Sequence, residues 1–412
     1  MKRNPLQSLS YLFILILLNS VAVNAQWVPV SSPPPNFRTD HTYGFSLEGK
    51  GYLVAGTTSN GNFSNNFYQY DPLIDEFTQL DDFPGGARGF AIGDDWDGKA
   101  YFGFGIANGS NIQNDLWQYD PTTAVWTELA ECPCSARFHP AMIAHNGKIF
   151  VGMGAGSFGD LKDWWIYDIA SDSWTEGTEF PSTQRHHPYQ FGIGDYVYTG
   201  FGHGGANIYN AWYQYDPAND SWDQMESLPA EGRVAGTQFS WTGKGYVLSG
   251  EGADHRALDE GEFWSYDPLT DSWEQLPSHP DKGRWAPASF LIDNEIYIFN
   301  GVVRSSDGGN SSHPNDSYKF NLNGDEMTST EELEKEANFS LHPNPVSDYL
   351  SIETASNIKS SAEFNIFDVL GNTVLNFEVA DKKEVDISAL ANGVYFVRMD
   401  GEADVIQIIV NR

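Results

Sequence analysis

The chain has 412 residues, with 56 acidic against 23 basic side chains for a formal charge of −33, 13 Trp, 20 Tyr, 26 Phe and 40 glycines, and only 19% charged residues. That length exceeds a single small module, and the aromatic and glycine content suits many short strands separated by turns, which excludes disorder of the whole chain. So negative a surface repels phosphate and anionic lipid, so nucleic acid and acidic membranes are set aside as partners.

The first element reads as an export signal. Lys2 and Arg3 precede a mostly apolar run from Leu9 to Leu18, and Val23-Asn24-Ala25 places compact side chains at the −3 and −1 positions of a cleavage site. Residues 1–25 are therefore expected to be a signal peptide, with the mature chain starting at Gln26. No later stretch approaches the roughly 20 apolar residues of a membrane helix, so no transmembrane segment is expected. Cys132 and Cys134 are the only cysteines, and no long-range disulfide framework can hold the exported chain. Across one intervening residue they can form a local disulfide, stay as thiols or take a soft metal; the disulfide is favoured and would add little stability.

From Trp27, an aromatic that closes a strand recurs at Phe77, Trp126, Trp174, Trp222 and Trp273, at intervals of 48 to 51 residues. Arg38, Arg88, Arg137, Arg185, Arg233 and Arg284 each follow their aromatic by 11 residues. A glycine follows each arginine by 17 or 18 (Gly56, Gly105, Gly154, Gly202, Gly250, Gly301), and Tyr-Asp pairs begin at Tyr70, Tyr119, Tyr167, Tyr215 and Tyr266, seven residues before the next aromatic. One such unit holds four short strands with their turns, the content of one propeller blade. The sixth unit ends at Tyr318-Lys319-Phe320-Asn321 without a tryptophan, and Trp27 opens the chain without strands before it. A strand around Trp27-Val28-Pro29-Val30 is expected to complete the last unit as its outer strand and limit exposed edges.

Asn114-Asp115-Leu116-Trp117-Gln118-Tyr119-Asp120-Pro121 with Trp126, and Trp212-Tyr213-Gln214-Tyr215-Asp216-Pro217 with Trp222, carry a resemblance to the kelch repeat over residues 26–321. The resemblance implies an all-β fold, a six-bladed kelch-type β-propeller closed by the N-terminal strand. The chain departs from the family pattern at the glycine pair, whose first member is Ala55, Phe104, Met153, Phe201, Ser249 or Asn300. That departure weakens the transfer of any particular kelch activity.

Residues 322–338 form an acidic stretch (Asp325, Glu326, Glu331, Glu332, Glu334, Glu336 against Lys335) that reads as a solvated linker, with a short helix capped by Ser329 and Glu332 the lesser alternative. Residues 339–412 read as short alternating strands, among them Tyr349 to Glu353, Glu363 to Val369, Thr373 to Val379, Gly393 to Met399 and Val405 to Val410, with a hairpin turn at Gly371-Asn372. A small Ig-like β-sandwich is expected there. Leu341-His342-Pro343-Asn344-Pro345, Ile366-Phe367-Asp368 through Gly371, Leu390 through Gly393-Val394-Tyr395, and Ile406-Gln407-Ile408-Ile409-Val410 resemble the type A C-terminal sorting domain of the type IX secretion system. This resemblance implies handling by that machinery and passage through the outer membrane of a Gram-negative bacterium. The protein would then be released or held at the cell surface.

In a blade, the connection entering the first strand and the one between the second and third strands open on the same face. The six arginines lie there, where they could receive a carboxylate or sulfate by bidentate hydrogen bonds, or else brace their own or neighbouring blades, which is the plainer reading. His41, His139, His186 and His187 fall near that level, with His203 in Gly202-His203-Gly204-Gly205. Their spacing carries no metal-ligand signature, so neither a metal nor another cofactor is expected. Glu251, Asp254, His255 and Asp259 form a polar loop suited to acid-base work on a sugar or to plain solvation, and Trp285 could stack on a sugar ring or pack internally. Taken together, the residues favour a secreted or cell-surface binding module over an enzyme, with a glycan or protein ligand on the funnel face that bears Arg38, Arg88, Arg137, Arg185, Arg233, Arg284, His139, His187, His203, Glu251, His255 and Trp285. The alternative is a carbohydrate-active enzyme, such as a sialic-acid-type epimerase or isomerase, which needs Glu251 within reach of a funnel arginine. A kelch-type copper radical oxidase, which the resemblance would require to link a cysteine to a tyrosine near two histidines, is disfavoured, because both cysteines lie in one connection.

Overall fold

The computed structural model describes residues 27–34, 40–58, 60–107, 110–304, 311–323, 339–342, 346–354, 362–367, 373–380, 382–399 and 405–410. Arg38, the signal peptide, Ser329 with Glu332, and the Gly371-Asn372 turn lie outside these. Two compact units are present, Met1–Met327 and Thr328–Arg412.

Among the described residues, all regular elements are strands. The described residues of the first unit form six four-stranded antiparallel sheets. Sheet 1 runs Tyr43–Leu47, Lys50–Val54, Phe67–Asp71, Glu76–Gln79, and sheet 2 runs Ile92–Trp96, Lys99–Gly103, Leu116–Asp120, Val125–Glu128. Sheet 3 runs Ala141–His145, Lys148–Gly152, Trp164–Asp168, Ser173–Gly177, and sheet 4 runs Tyr189–Ile193, Tyr196–Gly200, Trp212–Asp216, Ser221–Met225. Sheet 5 runs Thr237–Trp241, Lys244–Leu248, Gly261–Asp267, Ser272–His279. Sheet 6 takes Ala288–Ile292, Glu295–Phe299 and Ser317–Asn321 and is completed by Val28–Val30, which pairs antiparallel with Ser317–Asn321.

The local chemistry explains the strands. Second strands such as Tyr52-Leu53-Val54 are continuous apolar runs because both their faces are covered, whereas the outer strand Glu76–Gln79 half-buries only Phe77. The first hairpins of sheets 1, 2, 3 and 5 turn on Glu48-Gly49, Asp97-Gly98, Asn146-Gly147 and Thr242-Gly243, where both residues have φ between 45° and 77°. Such a left-handed pair is the two-residue turn whose twist matches that of the flanking strands.

The first strands pack on one another in a closed order, sheet 1 against 2, 2 against 3, 3 against 4, 4 against 5, 5 against 6, and 6 against 1. Tryptophans of the outer strands lock successive sheets together. Trp174, Trp222 and Trp273 donate their indole N–H to the carbonyls of Ala130, Thr178 and Glu226 in the preceding sheet, at 2.8 to 2.9 Å. Trp27 makes the same bond to Pro277 at 2.8 Å, across 250 residues, so it occupies the tryptophan position missing from the sixth repeat.

The residue pairs that replace the family's double glycine keep its backbone. Ala55, Phe104, Met153, Phe201, Ser249 and Asn300 all have φ between 55° and 63°, each followed by a glycine at φ 80° to 108°. All six side chains are at most 2% exposed, so burial offsets the strain of the left-handed conformation. The following glycine cannot be replaced in the same way: a Cβ on Gly105 would lie 2.6 Å from the Gly89 carbonyl oxygen and 2.7 Å from the Ala91 nitrogen.

The second unit has a three-stranded sheet (Phe339–His342, Tyr349–Thr354, Lys382–Asp386) and a four-stranded one (Thr373–Val379, Ala362–Phe367, Gly393–Met399, Val405–Val410). One apolar core joins them, with Leu350, Ile352, Phe364, Ile366, Val397 and Ile408 all fully buried.

Candidate functional site

The described arginines of the repeat, Arg88, Arg137, Arg185, Arg233 and Arg284, are at most 1% exposed, and their guanidinium groups are taken up inside the sheets. Arg88 grips Asp115 with both terminal nitrogens at 2.8 Å, and Arg137 grips Asp163 at 2.9 and 2.6 Å. Arg233 pairs with Glu262 at 2.8 Å and Arg284 with Asp316 at 3.3 Å. Arg185 has Ser182 instead of an acid and lies 4.0 Å over the Tyr209 ring, and burial pulls it down to about 10. Arg88, Arg137, Arg185 and Arg284 also donate to the carbonyl of the left-handed residue 16 positions on. In turn, the amides of Gly56, Gly105, Gly154, Gly202 and Gly250 donate to the carbonyls of Arg88, Arg137, Arg185, Arg233 and Arg284 in the following sheet, at 2.8 to 3.0 Å. The conserved spacing of arginine and glycine within the repeat is thus a bracing network, and these arginines do not line the channel.

Two residues past each of these arginines the backbone again turns left-handed. Phe90, His139, His187, Ala235 and Ala286, together with His41 in the first repeat, have φ between 45° and 62°. Two runs of two bonds tie them into a collar, Ala286 N to Ala235 O and His41 N to Ala286 O in one, His139 N to Phe90 O and His187 N to His139 O in the other, at 2.6 to 3.1 Å. A non-glycine residue held there stores strain, and such outliers gather at binding sites. Three of the six collar side chains are imidazoles. His41 Nε2 lies 3.2 Å from His187 Nε2, and the His139 ring stacks on that of His187. Asp40 Oδ1 accepts from His41 Nδ1 at 2.8 Å. Both nitrogens of His139 and Nδ1 of His187 are buried without a hydrogen-bond partner, an omission that ordinarily costs about 1–3 kcal/mol per group. Burial, reinforced by the neighbouring imidazoles, holds His139 and His187 well below the usual histidine range, so both rings are neutral. Burial opposes ionisation of Asp40, yet the His41 bond and charge outweigh it and keep this carboxyl below its ordinary value. Beneath the collar a cavity of about 90 Å³ runs between the first strands.

A second layer stands above the collar. It is built where the residue after each arginine pairs with the residue after each repeat glycine: Phe138 with Ala155, His186 with His203, Val234 with Glu251, and Trp285 with Val302. Asp160 Oδ1 meets His186 Nδ1 at 2.7 Å, and His186 Nε2 lies 3.4 Å from His203 Nδ1. The His203 ring meets His255 edge-on at 4.6 Å, and His255 Nδ1 is 3.7 Å from Glu251 Oε2. Arg304 stands 3.4 Å from both Glu251 oxygens and 3.9 Å over the Trp285 ring. Trp285, only 7% exposed, then reaches the collar, 4.9 Å from His187. Burial raises the fully buried Glu251 carboxyl to about 7 against the opposing pull of Arg304, which makes it a proton carrier near neutrality. Burial also lowers His186 and His255.

Of the sequence candidates, His139, His187, His203, Glu251, His255 and Trp285 come together with His41 and His186. Asp254 and Asp259 instead line a separate polar cavity of about 300 Å³ with Lys282 and Arg304. Cys132 and Cys134 form a disulfide among apolar neighbours. Sequence reasoning missed Asp40, Asp160 and Arg304. Arg304 lies in the variable segment after Gly301 and has no counterpart in the other repeats. Asp94 and Asp95 were missed as well, although Asp94 occupies the strand position held by Phe45, Ile143, Phe191, Phe239 and Phe290, and a doublet of acids there was a readable signal. Both line a cavity of about 320 Å³; burial and the Asp95 charge push Asp94 well above the usual carboxylate range, and burial pushes Asp95 to about 6.

Comparison with known proteins adds two family matches. A family described as the KLHDC2/KLHL20/DRC7 Kelch-repeats domain matches residues 10–187, and a secretion system C-terminal sorting domain matches residues 340–411. No curated protein matches the chain. The four-stranded antiparallel sheets fit a kelch β-propeller, and no helix among the described residues is long and apolar enough to cross a membrane. The sorting domain indicates handling by the type IX secretion system, leading to secretion or attachment at the cell surface. The chain therefore combines Kelch repeats with a type IX secretion C-terminal sorting domain.

Proposed function

We propose that this protein is an exported six-bladed kelch propeller, closed by its N-terminal strand, that captures a glycan or protein ligand in the funnel above the histidine collar. Its second unit serves as an Ig-like sorting domain that carries it across the outer membrane of a Gram-negative cell. One observation carries the reading. The positions that hold the sheets together repeat almost unchanged, whereas the positions facing the funnel differ from repeat to repeat and bring Trp285, Arg304, Glu251, His203 and His255 side by side. An aromatic face flanked by a cation and hydrogen-bonding rings suits a sugar ring or a polar side chain. The test is an array of neutral and acidic glycans probed with the purified protein and with Trp285→Ala and Arg304→Ala. Binding that both substitutions abolish supports the funnel; retention in both moves the ligand elsewhere.

A second reading is favoured by Glu251 specifically. A buried carboxyl near 7, beside Arg304 and His255, is equipped for general acid-base chemistry on a bound sugar, as the epimerase alternative requires. The arginine involved is Arg304 and not one of the five described repeat arginines. Turnover of any glycan retained on the array, lost in Glu251→Gln while binding persists, would establish catalysis.

A further inference from the structure

We propose that His41, His139 and His187 form a binding site for one divalent transition-metal ion of the zinc and copper class, at the base of the funnel. One ligand atom from each lies within 4.8 Å of the others, so a small ion is reached by all three once the His139 ring swings out of its stack on His187. His41 Nε2 and His187 Nε2 are 3.2 Å apart, close to the roughly 3.3 Å that separates two imidazole nitrogens on one tetrahedral zinc. The collar bonds set all three backbones in the same left-handed turn, so the three imidazoles enter the channel from a rigid frame.

The hydrogen bonding points the same way. Asp40 takes the Nδ1 proton of His41, which leaves the Nε2 lone pair facing His187 Nε2 at 3.2 Å. This carboxylate-histidine pairing is the arrangement that orients metal-bound imidazoles, and the anionic Asp40 offsets part of the ion's charge. If the His41 and His187 nitrogens instead share a single hydrogen bond, His187 must donate from Nε2, and its buried Nδ1 becomes an acceptor without a donor. His139 has no partner for either nitrogen. A metal ion satisfies these lone pairs together. Nitrogen-only donors select transition metals over calcium or magnesium, which prefer oxygen. Three protein ligands leave a fourth position, beside Trp285, whose ring lies 4.9 Å from that of His187. The sequence concealed the site because its ligands come from three different repeats at one shared position, with no local ligand motif.

The test is titration of chelator-stripped, purified protein with Zn²⁺ and Co²⁺ in excess Mg²⁺, which occupies surface carboxylates. The expected result is one equivalent bound per chain, with the visible absorption of tetrahedral Co²⁺. Affinity should fall at least 100-fold in His139→Asn and in His187→Asn, fall about 10- to 100-fold in Asp40→Asn, and stay unchanged in His145→Asn, whose ring instead meets the Gly194 carbonyl. No saturable binding at one equivalent, or full binding in both collar variants, overturns the proposal. Should either variant fail to fold by circular dichroism, X-ray absorption of the wild-type zinc complex decides. Three imidazole nitrogens near 2.0 Å support the site, and an oxygen-only shell overturns it.

Discussion

The Arg137 guanidinium meets the Asp163 carboxylate through both terminal nitrogens, at 2.9 and 2.6 Å, and the arginine side chain has no exposed surface. Removing Arg137 empties a fully buried, hydrogen-bonded site and leaves the partly exposed Asp163 without its partner. Arg137→Ala should destabilise the protein by about 3–5 kcal/mol, with no direct effect on ligand binding, because the guanidinium does not reach the funnel. Urea unfolding followed by Trp fluorescence measures this, and a loss below about 1 kcal/mol would show that the clamp is dispensable.

Two substitutions at the first and second repeats separate strain from close packing. Ala55→Gly relieves a φ of 57° at the cost of one buried methyl, so the terms nearly cancel and stability should change by less than about 1 kcal/mol. Gly105→Ala forces a Cβ against two backbone atoms at 2.6 and 2.7 Å and should cost several times more. Denaturation midpoints of the two variants, measured side by side, should differ in that order.

Glu251 makes stability depend on pH. Burial raises its folded-state pKa from 4.5 to about 7, so between those values the folded chain binds more protons than the unfolded one, and stability falls as pH rises. Glu251→Gln removes that ionisation while preserving shape. The variant should be more stable than wild type by roughly 3 kcal/mol above pH 7, and the gap should close toward pH 4. Paired unfolding curves at pH 4, 6 and 8 check this; a constant gap would mean the carboxyl does not titrate in that window.

Trp27 is 5% exposed and packs against Phe263 and Phe320 at ring centroid distances of 5.8 and 5.2 Å. Trp27→Ala should cost about 3–5 kcal/mol and loosen Val28–Val30 from the sixth sheet. Limited proteolysis, read by mass spectrometry, should show new early cuts near residues 28–34 and 317–321. Unchanged cleavage there would mean the strand docks without its anchor.

The repeat was legible because its markers have backbone duties that cannot vary. Arg137, Gly154 and Trp174 each serve a bond that recurs in successive sheets, so the period survives in the sequence. The outer position of Val28–Val30 followed from counting strands. The short strands Phe339–His342 and Lys382–Asp386 were not read, since the first is only four residues long and the second carries a single apolar residue, Val385. The histidines were legible as sharing a level, but not as converging. Which residue after each arginine turns into the channel depends on its left-handed φ, and no residue type announces that at Phe90 or Ala235. Arg304 and Asp160 lie in segments without a repeat, where periodicity says nothing.

The pairing of Val28 with Lys319 also imposes an order in time. The strand synthesised first is the one placed last, because its docking edge does not exist until almost 290 further residues have emerged, and closing so long a loop carries a standing entropic penalty. Between that emergence and docking, the unclosed first unit presents the bare edge of Ser317–Asn321 and the aromatic bed of Phe263 and Phe320 to whatever surrounds it. A nascent or truncated chain is therefore adhesive in a way the finished one is not, and an escort that shields this seam is most needed during export, before the two ends meet.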